Sequence, residues 1–188
     1  FKVFAHPTQL LIAGATKSGK TTMLMKLLLN LAMTFNPIPH EVYWFYSMPS
    51  SVAKVPEVLP HVKLRNGVPT EDVINKIIKD NQPKLIVMDD MQDILDSPKQ
   101  TKVLMDILTK VSHHGNLSII FIVQSLFSDK KMKKVRDQCC ETVVMCNGTS
   151  AMQNAMHMGK VLGDGGQAFM KECLLKARQL TAYNHLLV

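Results

Sequence analysis

Residues 9–28 read QLLIAGATKSGKTTMLMKLL, and this stretch changes character twice. Gln9–Ala13 is an apolar run of strand length. Residues 14–19 form a Gly-containing turn, and from Lys20 onward the apolar positions Met23, Leu24, Leu27, Leu28 and Leu31 recur at helical spacing. A strand, a glycine turn and a helix in immediate succession predict the first unit of an α/β domain.

The turn itself carries chemistry. GATKSGKT, residues 14–21, satisfies G-x-x-x-x-G-K-[ST] and lies between a strand and a helix, the context that pattern requires. Glycines allow the backbone to curl so that successive amide N–H groups point inward at a phosphate, and the start of the following helix adds its positive dipole end. Gly14, Ala15, Thr16, Lys17, Ser18, Gly19, Lys20, Thr21 and Thr22 are the candidate nucleotide-binding residues. Lys20 is expected to reach the β- and γ-phosphates of ATP, and Thr21 to hold Mg²⁺ through its hydroxyl. A blander reading leaves Lys17 as solvated loop charge and Thr22 as a packing residue.

Strand-like and helical stretches alternate to the end of the chain, which predicts a mostly parallel central sheet with helices on both faces. Further strands are expected at 41–46, 84–88, 117–123, 142–145 and 185–188, with the sheet closing at the last. Helices are expected from Thr70 to about Lys79, at 99–113, 151–161 and 167–179. No repeat or low-complexity tract divides the chain, and residues 1–188 read as a single domain.

LIVMDD, residues 85–90, sets two carboxylates at the C-terminal end of a buried strand, where open α/β sheets bind their ligands. This is a Walker B arrangement. Asp89 is the candidate metal residue alongside Thr21, and Asp90 is placed to orient or deprotonate an attacking water. The competing reading is a pair of aspartates opening a turn. Gln124 ends the next apolar strand and is expected to contact the γ-phosphate or the water, matching the sensor position of ATPases whose extra strand lies between the Walker A and Walker B strands. Lys20, Asp90 and Gln124 are therefore the candidate catalytic residues from the core.

Composition bounds these readings. Hydrophobic residues make up 46% of the 188 and charged residues 20%, the balance of a folded globular chain. No apolar run approaches the ~20 residues that span a bilayer, so no membrane partner is expected. The net charge of +7 favours a polyanionic partner. Cys139, Cys140, Cys146 and Cys173 show no C-x-x-C pairing and read as reduced thiols. A chain opening at Phe1 rather than at methionine is expected to be trimmed or processed.

The order GATKSGKT, LIVMDD, then SHHGNLSIIFIVQSLF at residues 112–127 resembles the FtsK/HerA superfamily of DNA-translocating P-loop ATPases, of the RecA-like, additional-strand type. It is particularly similar to the genome-packaging ATPases of Polinton-type and related double-stranded DNA viruses. The resemblance covers most of the chain and is firm over the nucleotide core. It implies a homo-oligomeric ring, pentamer or hexamer, that threads double-stranded DNA into a preformed capsid, in contact with capsid vertex proteins at the site of virion assembly in an infected host cell. It also implies an arginine supplied across a subunit boundary, and Arg136 in KKMKKVRDQ stands near the expected place. Where many motor ATPases carry Glu after the first aspartate, this chain carries Asp90.

Lys130, Lys131, Lys133 and Lys134 form a basic cluster that reads either as a phosphate-backbone contact or as a solvated face. His113 and His114 read either as a DNA-path lining or as a helix end. Rival classes are a cellular DNA-pumping relative, a nucleotide-gated assembly scaffold and a P-loop nucleotide kinase. The kinase is disfavoured because Arg65, Arg136 and Arg178 are scattered rather than gathered in a lid. A GTPase is disfavoured because no N-K-x-D motif follows the strands.

Overall fold

LSIIFIV, Leu117–Val123, is buried at every position. A strand with no polar face needs cover on both sides, which a parallel sheet between helical layers provides. The computed structural model describes residues 3–91, 96–111, 115–127, 132–139, 141–145, 150–180 and 185–187. Its strands are β1 (Phe4–Ala5), β2 (Gln9–Ala13), β3 (Phe35–Asn36), β4 (Glu41–Tyr46), β5 (Lys63–Asn66), β6 (Lys84–Asp89), β7 (Leu117–Val123), β8 (Glu141–Met145) and β9 (His185–Leu187). The helices are α1 (Lys20–Leu29), α2 (Leu31–Thr34), α3 (Val55–Val58), α4 (Glu71–Ile78), α5 (Pro98–Asp106), α6 (Met132–Arg136), α7 (Ser150–Val161) and α8 (Gly166–Leu180).

Seven strands form the main sheet in the order β5-β4-β6-β7-β2-β8-β9. Neighbouring pairs are parallel except β8–β9, which is antiparallel and closes that edge. β7 thus lies between β2 and β6, the additional-strand arrangement expected from the motif order.

Alternation along each strand divides the core. Leu10 and Ile12 join Leu24, Leu27 and Leu28 of α1 on one face. Leu11 and Ala13 join Ile74 and Ile77 of α4 and Leu104 of α5 on the other. A third cluster, Ala151, Ala155, Met170 and Leu174, holds α7 against α8. Gly159 makes this close approach possible, since a Cβ there would stand 2.6 Å from the Gln167 Cα.

Several expectations change in detail. The first helix stops at Leu29, and after Asn30 the chain restarts as α2. The helix expected at 99–113 begins at Pro98, where the Ser97 hydroxyl accepts from the Gln100 N–H, and widens into a π-type turn over Ile107–Val111. Residues 112–114, including His113 and His114, lie outside the described residues. The pattern reading missed the short helices α3 and α6, the edge strand β5, and a two-stranded parallel ribbon of β1 and β3 whose Phe4 and Phe35 rings lie 5.6 Å apart. Among the described residues, no helix is long and apolar enough to cross a membrane.

Candidate nucleotide site

The C-terminal ends of β6, β7 and β2 meet in register, with Asp89 opposite Ile122 and Ala13 opposite Val123. β7 then ties together the two segments that leave the sheet beside it. The Val123 carbonyl accepts from the Gly14 N–H at 3.2 Å, and the Ile122 carbonyl accepts from the Asp90 N–H at 3.2 Å. The glycine loop and the paired aspartates therefore emerge on one rim.

At position 14 the backbone is packed too closely for a side chain, because a Cβ would lie 2.6 Å from both the Met145 Cβ and the Ser18 Oγ. Lys17 (φ 64°) and Gly19 (φ 97°) both adopt left-handed backbone, which curls the loop. α1 starts without a side-chain cap and with no acidic residue in its first turn, which leaves its N-terminal dipole unclaimed by its own first turn. Thr16, Lys17 and Thr22 are exposed, Ala15, Gly19, Lys20 and Thr21 are half-buried, and Ser18 is buried with its hydroxyl unpartnered among the described residues. The Lys20 Nζ donates to the carbonyls of Gly14 and Ala15, at 2.6 and 3.0 Å. Burial lowers the Lys20 pKa, and the charges of Asp90 and Asp89 oppose that shift.

Asp89 ends β6 at 4% exposure, with its Oδ2 lacking a hydrogen-bond partner among the described residues. Burial raises its pKa, and the Asp90 charge adds to the rise. The Ser51 hydroxyl, the Trp44 indole and the Lys20 charge pull the other way. Asp90 turns out of the strand with φ 55°, a left-handed conformation that Asp tolerates better than Glu. That backbone conformation favours an aspartate over a glutamate at position 90. Ser47 Oγ donates to the Asp90 carbonyl at 3.0 Å, while Gln124 Nε2 donates to both Asp90 carboxylate oxygens, at 3.2 and 3.1 Å. Gln124 is itself exposed at the rim.

Arg136 stands apart from this group. Its Nη1 donates to the Leu126 carbonyl at 2.8 Å, and its guanidinium lies 4.3 Å from the centre of the Phe127 ring. It makes no hydrogen bond or ion pair with Lys20, Asp89, Asp90 or Gln124 among the described residues. Lys133 and Lys134 are exposed on α6, while Lys130 and Lys131 lie outside the described residues. Sequence reading missed Trp44, Ser47 and Ser51. They come from β4 and the connection after it, where no motif spacing marks them, and the lone tryptophan of EVYWFY was the one available signal.

The unpartnered Ser18 hydroxyl and Asp89 Oδ2, with an uncapped helix start between them in sequence, suit a phosphate-bearing ligand and its cation. Among the described residues, no group of three His, Cys, Asp or Glu side chains gathers to hold a metal by itself. A cation here would lean on Thr21, Asp89 and the phosphates, as magnesium does in such sites.

Comparison with known proteins agrees with this architecture. The DNA-packaging ATPase B204 of Sulfolobus turreted icosahedral virus superposes with a TM-score of 0.60 at 13% identity, covering 97% of this chain and 92% of B204. B204 of Sulfolobus turreted icosahedral virus 2 in complex with ATP-gammaS gives 0.57 at 15% identity, over 96% and 91% of the two chains. EssC (ATPases 2 and 3) from Geobacillus thermodenitrificans gives 0.53 at 16% identity over 72% of this chain, which spans about a third (31%) of that polypeptide. No curated protein matches by sequence. The Poxvirus A32 protein family matches residues 2–180. With its strand order and paired rim residues, the chain belongs to the Poxvirus A32 family, a family of viral genome-packaging ATPases.

Proposed function

We propose that this chain, acting as one nucleotide-binding unit, hydrolyses ATP to drive double-stranded viral DNA into a preformed capsid. The observation that carries the reading is that the glycine loop and the paired aspartates leave one rim of the sheet, where β7 carbonyls accept from the Gly14 and Asp90 N–H groups and Gln124 bonds the Asp90 carboxylate. The resemblance in fold to B204, whose structure was determined with ATP-gammaS, supports ATP as the ligand.

With the Gly14 N–H bonded to Val123 and the Ser18 N–H to Ala15, the backbone N–H groups of Thr16, Lys17, Gly19 and Lys20 serve the phosphates, and Lys20 exchanges its carbonyl contacts for phosphate oxygens. Thr21 and Asp89 would hold Mg²⁺, which would supply neutralisation of phosphate charge. Asp90 accepts a proton from the attacking water, and Gln124 holds that carboxylate in place while its amide oxygen stays available to the water. Arg136 serves the site of a neighbouring copy, since its own chain does not bond it to Asp89 or Asp90. That role needs a ring of subunits. The net charge of +7 suits contact with a DNA backbone, including through Lys133 and Lys134. The work belongs in the infected cell at the site of virion assembly, with capsid vertex proteins as neighbours.

ATP turnover measured with and without linear duplex DNA, over protein concentrations that span assembly, tests this. Stimulation by DNA that requires assembly is expected. A phosphorylated small-molecule product, or turnover indifferent to DNA in the assembled state, would overturn the translocase reading.

A further inference from the structure

Gln124 and Arg136 are joined by a short path of contacts. Leu126, two residues after Gln124, is fully buried, and its carbonyl accepts from Arg136 Nη1 at 2.8 Å. Phe127 follows immediately and places its ring under the guanidinium, 4.3 Å from centroid to Cζ. The ring is itself held from α7, where the His157 imidazole stacks on it with centroids 4.7 Å apart and planes 27° from parallel. A long arginine side chain ordinarily samples many rotamers. Here a carbonyl and an aromatic face define its position, the two contacts a planar guanidinium is best suited to accept. Arg136 also lines a recess of about 230 Å³ with Phe127, Asp137, Met158, Val161 and Leu162. Val161 and Leu162 are 86% and 53% exposed, so Arg136 is fixed at the molecular surface rather than sealed in the core.

We propose that Phe127, braced by His157, is a positioning residue for Arg136 and couples it to the contact between Gln124 and Asp90. A shift of Gln124 when Asp90 changes partners would be carried through Ser125 and Leu126 to the arginine's two anchors. The nucleotide state of one subunit thereby sets whether Arg136 is aimed at the next. This rests on the role given to Arg136 above.

The experiment is a double-mutant cycle on steady-state ATP turnover by the assembled, DNA-stimulated protein. Phe127→Ala is expected to lower kcat about tenfold with KM changed less than about twofold. Phe127→Leu, which keeps an apolar plug but lacks an aromatic face, is expected to lose as much. Phe127→Tyr restores turnover. In an Arg136→Ala background, Phe127→Ala adds no further loss. Full activity in Phe127→Leu, or an equal extra loss in the Arg136→Ala background, would show a packing role alone and overturn the proposal. Slow Arg136→Ala beside normal Phe127→Ala would overturn this coupling and leave the arginine's role standing. Unchanged turnover in Arg136→Ala itself would remove both.

Discussion

Gln124 donates one amide nitrogen to both oxygens of Asp90, at 3.2 and 3.1 Å, from the end of β7 to the residue just past the end of β6. The contact exists because those strands are neighbours in register, although the two residues are far apart in the chain. Asp90 is held from three sides, since its N–H bonds to Ile122 and its carbonyl to Ser47. Removing the amide frees the carboxylate to rotate away from a water without disturbing the loop around Lys20. Gln124→Ala is therefore expected to lower kcat about 10²-fold while changing nucleotide affinity less than about threefold, read by turnover and by equilibrium binding.

The left-handed backbone at Asp90 makes a separate prediction. Asp90→Glu lengthens the arm on a φ of 55° that glutamate tolerates less well. It should reduce both turnover and thermal stability, the latter by about 1 kcal/mol, rather than improve the match to motors that carry Glu. Faster turnover in this variant would mean that backbone geometry does not explain the residue.

The surroundings of Asp89 disfavour its charged form. Burial raises its pKa above the ordinary 3.8, so the folded chain holds this proton more tightly than the unfolded one. Stability consequently declines as pH rises from about 3.8 through the elevated folded value. Without nucleotide or magnesium, Asp89→Asn should raise Tm at neutral pH by about 2–4 °C and flatten that part of the pH profile. Calorimetry across pH checks this, and a lower Tm for the variant at neutral pH would contradict it. The same substitution should abolish hydrolysis.

His6 behaves in the opposite sense, at the other end of the sheet. Its Nδ1 meets the Ser118 hydroxyl at 2.5 Å and its Nε2 the Asn116 carbonyl at 3.0 Å, while Ser118 also accepts from the Thr8 N–H. These partners suit the neutral ring with its proton on Nε2, and burial lowers the pKa below 6.5. The contribution is complete above pH ~6.5 and is lost as pH falls from there toward the lowered folded value. Tm should decline over that window, and the decline should shrink in His6→Gln. An identical acid profile in both proteins would place the effect elsewhere.

Gly14→Ala tests the fit of the loop. The new methyl would meet the Met145 Cβ and the Ser18 Oγ at 2.6 Å, so β8 or the loop must shift. A loss of about 1–3 kcal/mol in denaturant unfolding is expected, together with weaker nucleotide binding.

Much of this was readable because the decisive elements are continuous apolar runs. QLLIA, KLIVMD and LSIIFIV are buried along their whole length, and their flanking turns carry motif residues. What escaped reading lacks such a signal. β5 is KLRN, an edge strand largely exposed to solvent, and β1 and β3 pair over only two residues each. Asp90 and Gln124 were each recognisable at a strand end, but their bond depends on which strands are neighbours, a nonlocal property. For Arg136 the resemblance implies an arginine for a neighbouring site, and a plain surface arginine is the alternative. Its clamp depends on the place of α7, whose His157 backs Phe127 from a distant part of the chain.

Calorimetric titration of Mg²⁺ and ATP-gammaS into the protein and into Lys20→Ala and Asp89→Ala tests most directly whether the loop and the strand end serve one ligand. Lys20→Ala should weaken binding about 10²-fold, and Asp89→Ala should erase the dependence of affinity on magnesium. Full affinity in Lys20→Ala, or magnesium dependence surviving intact in Asp89→Ala, would contradict a shared site.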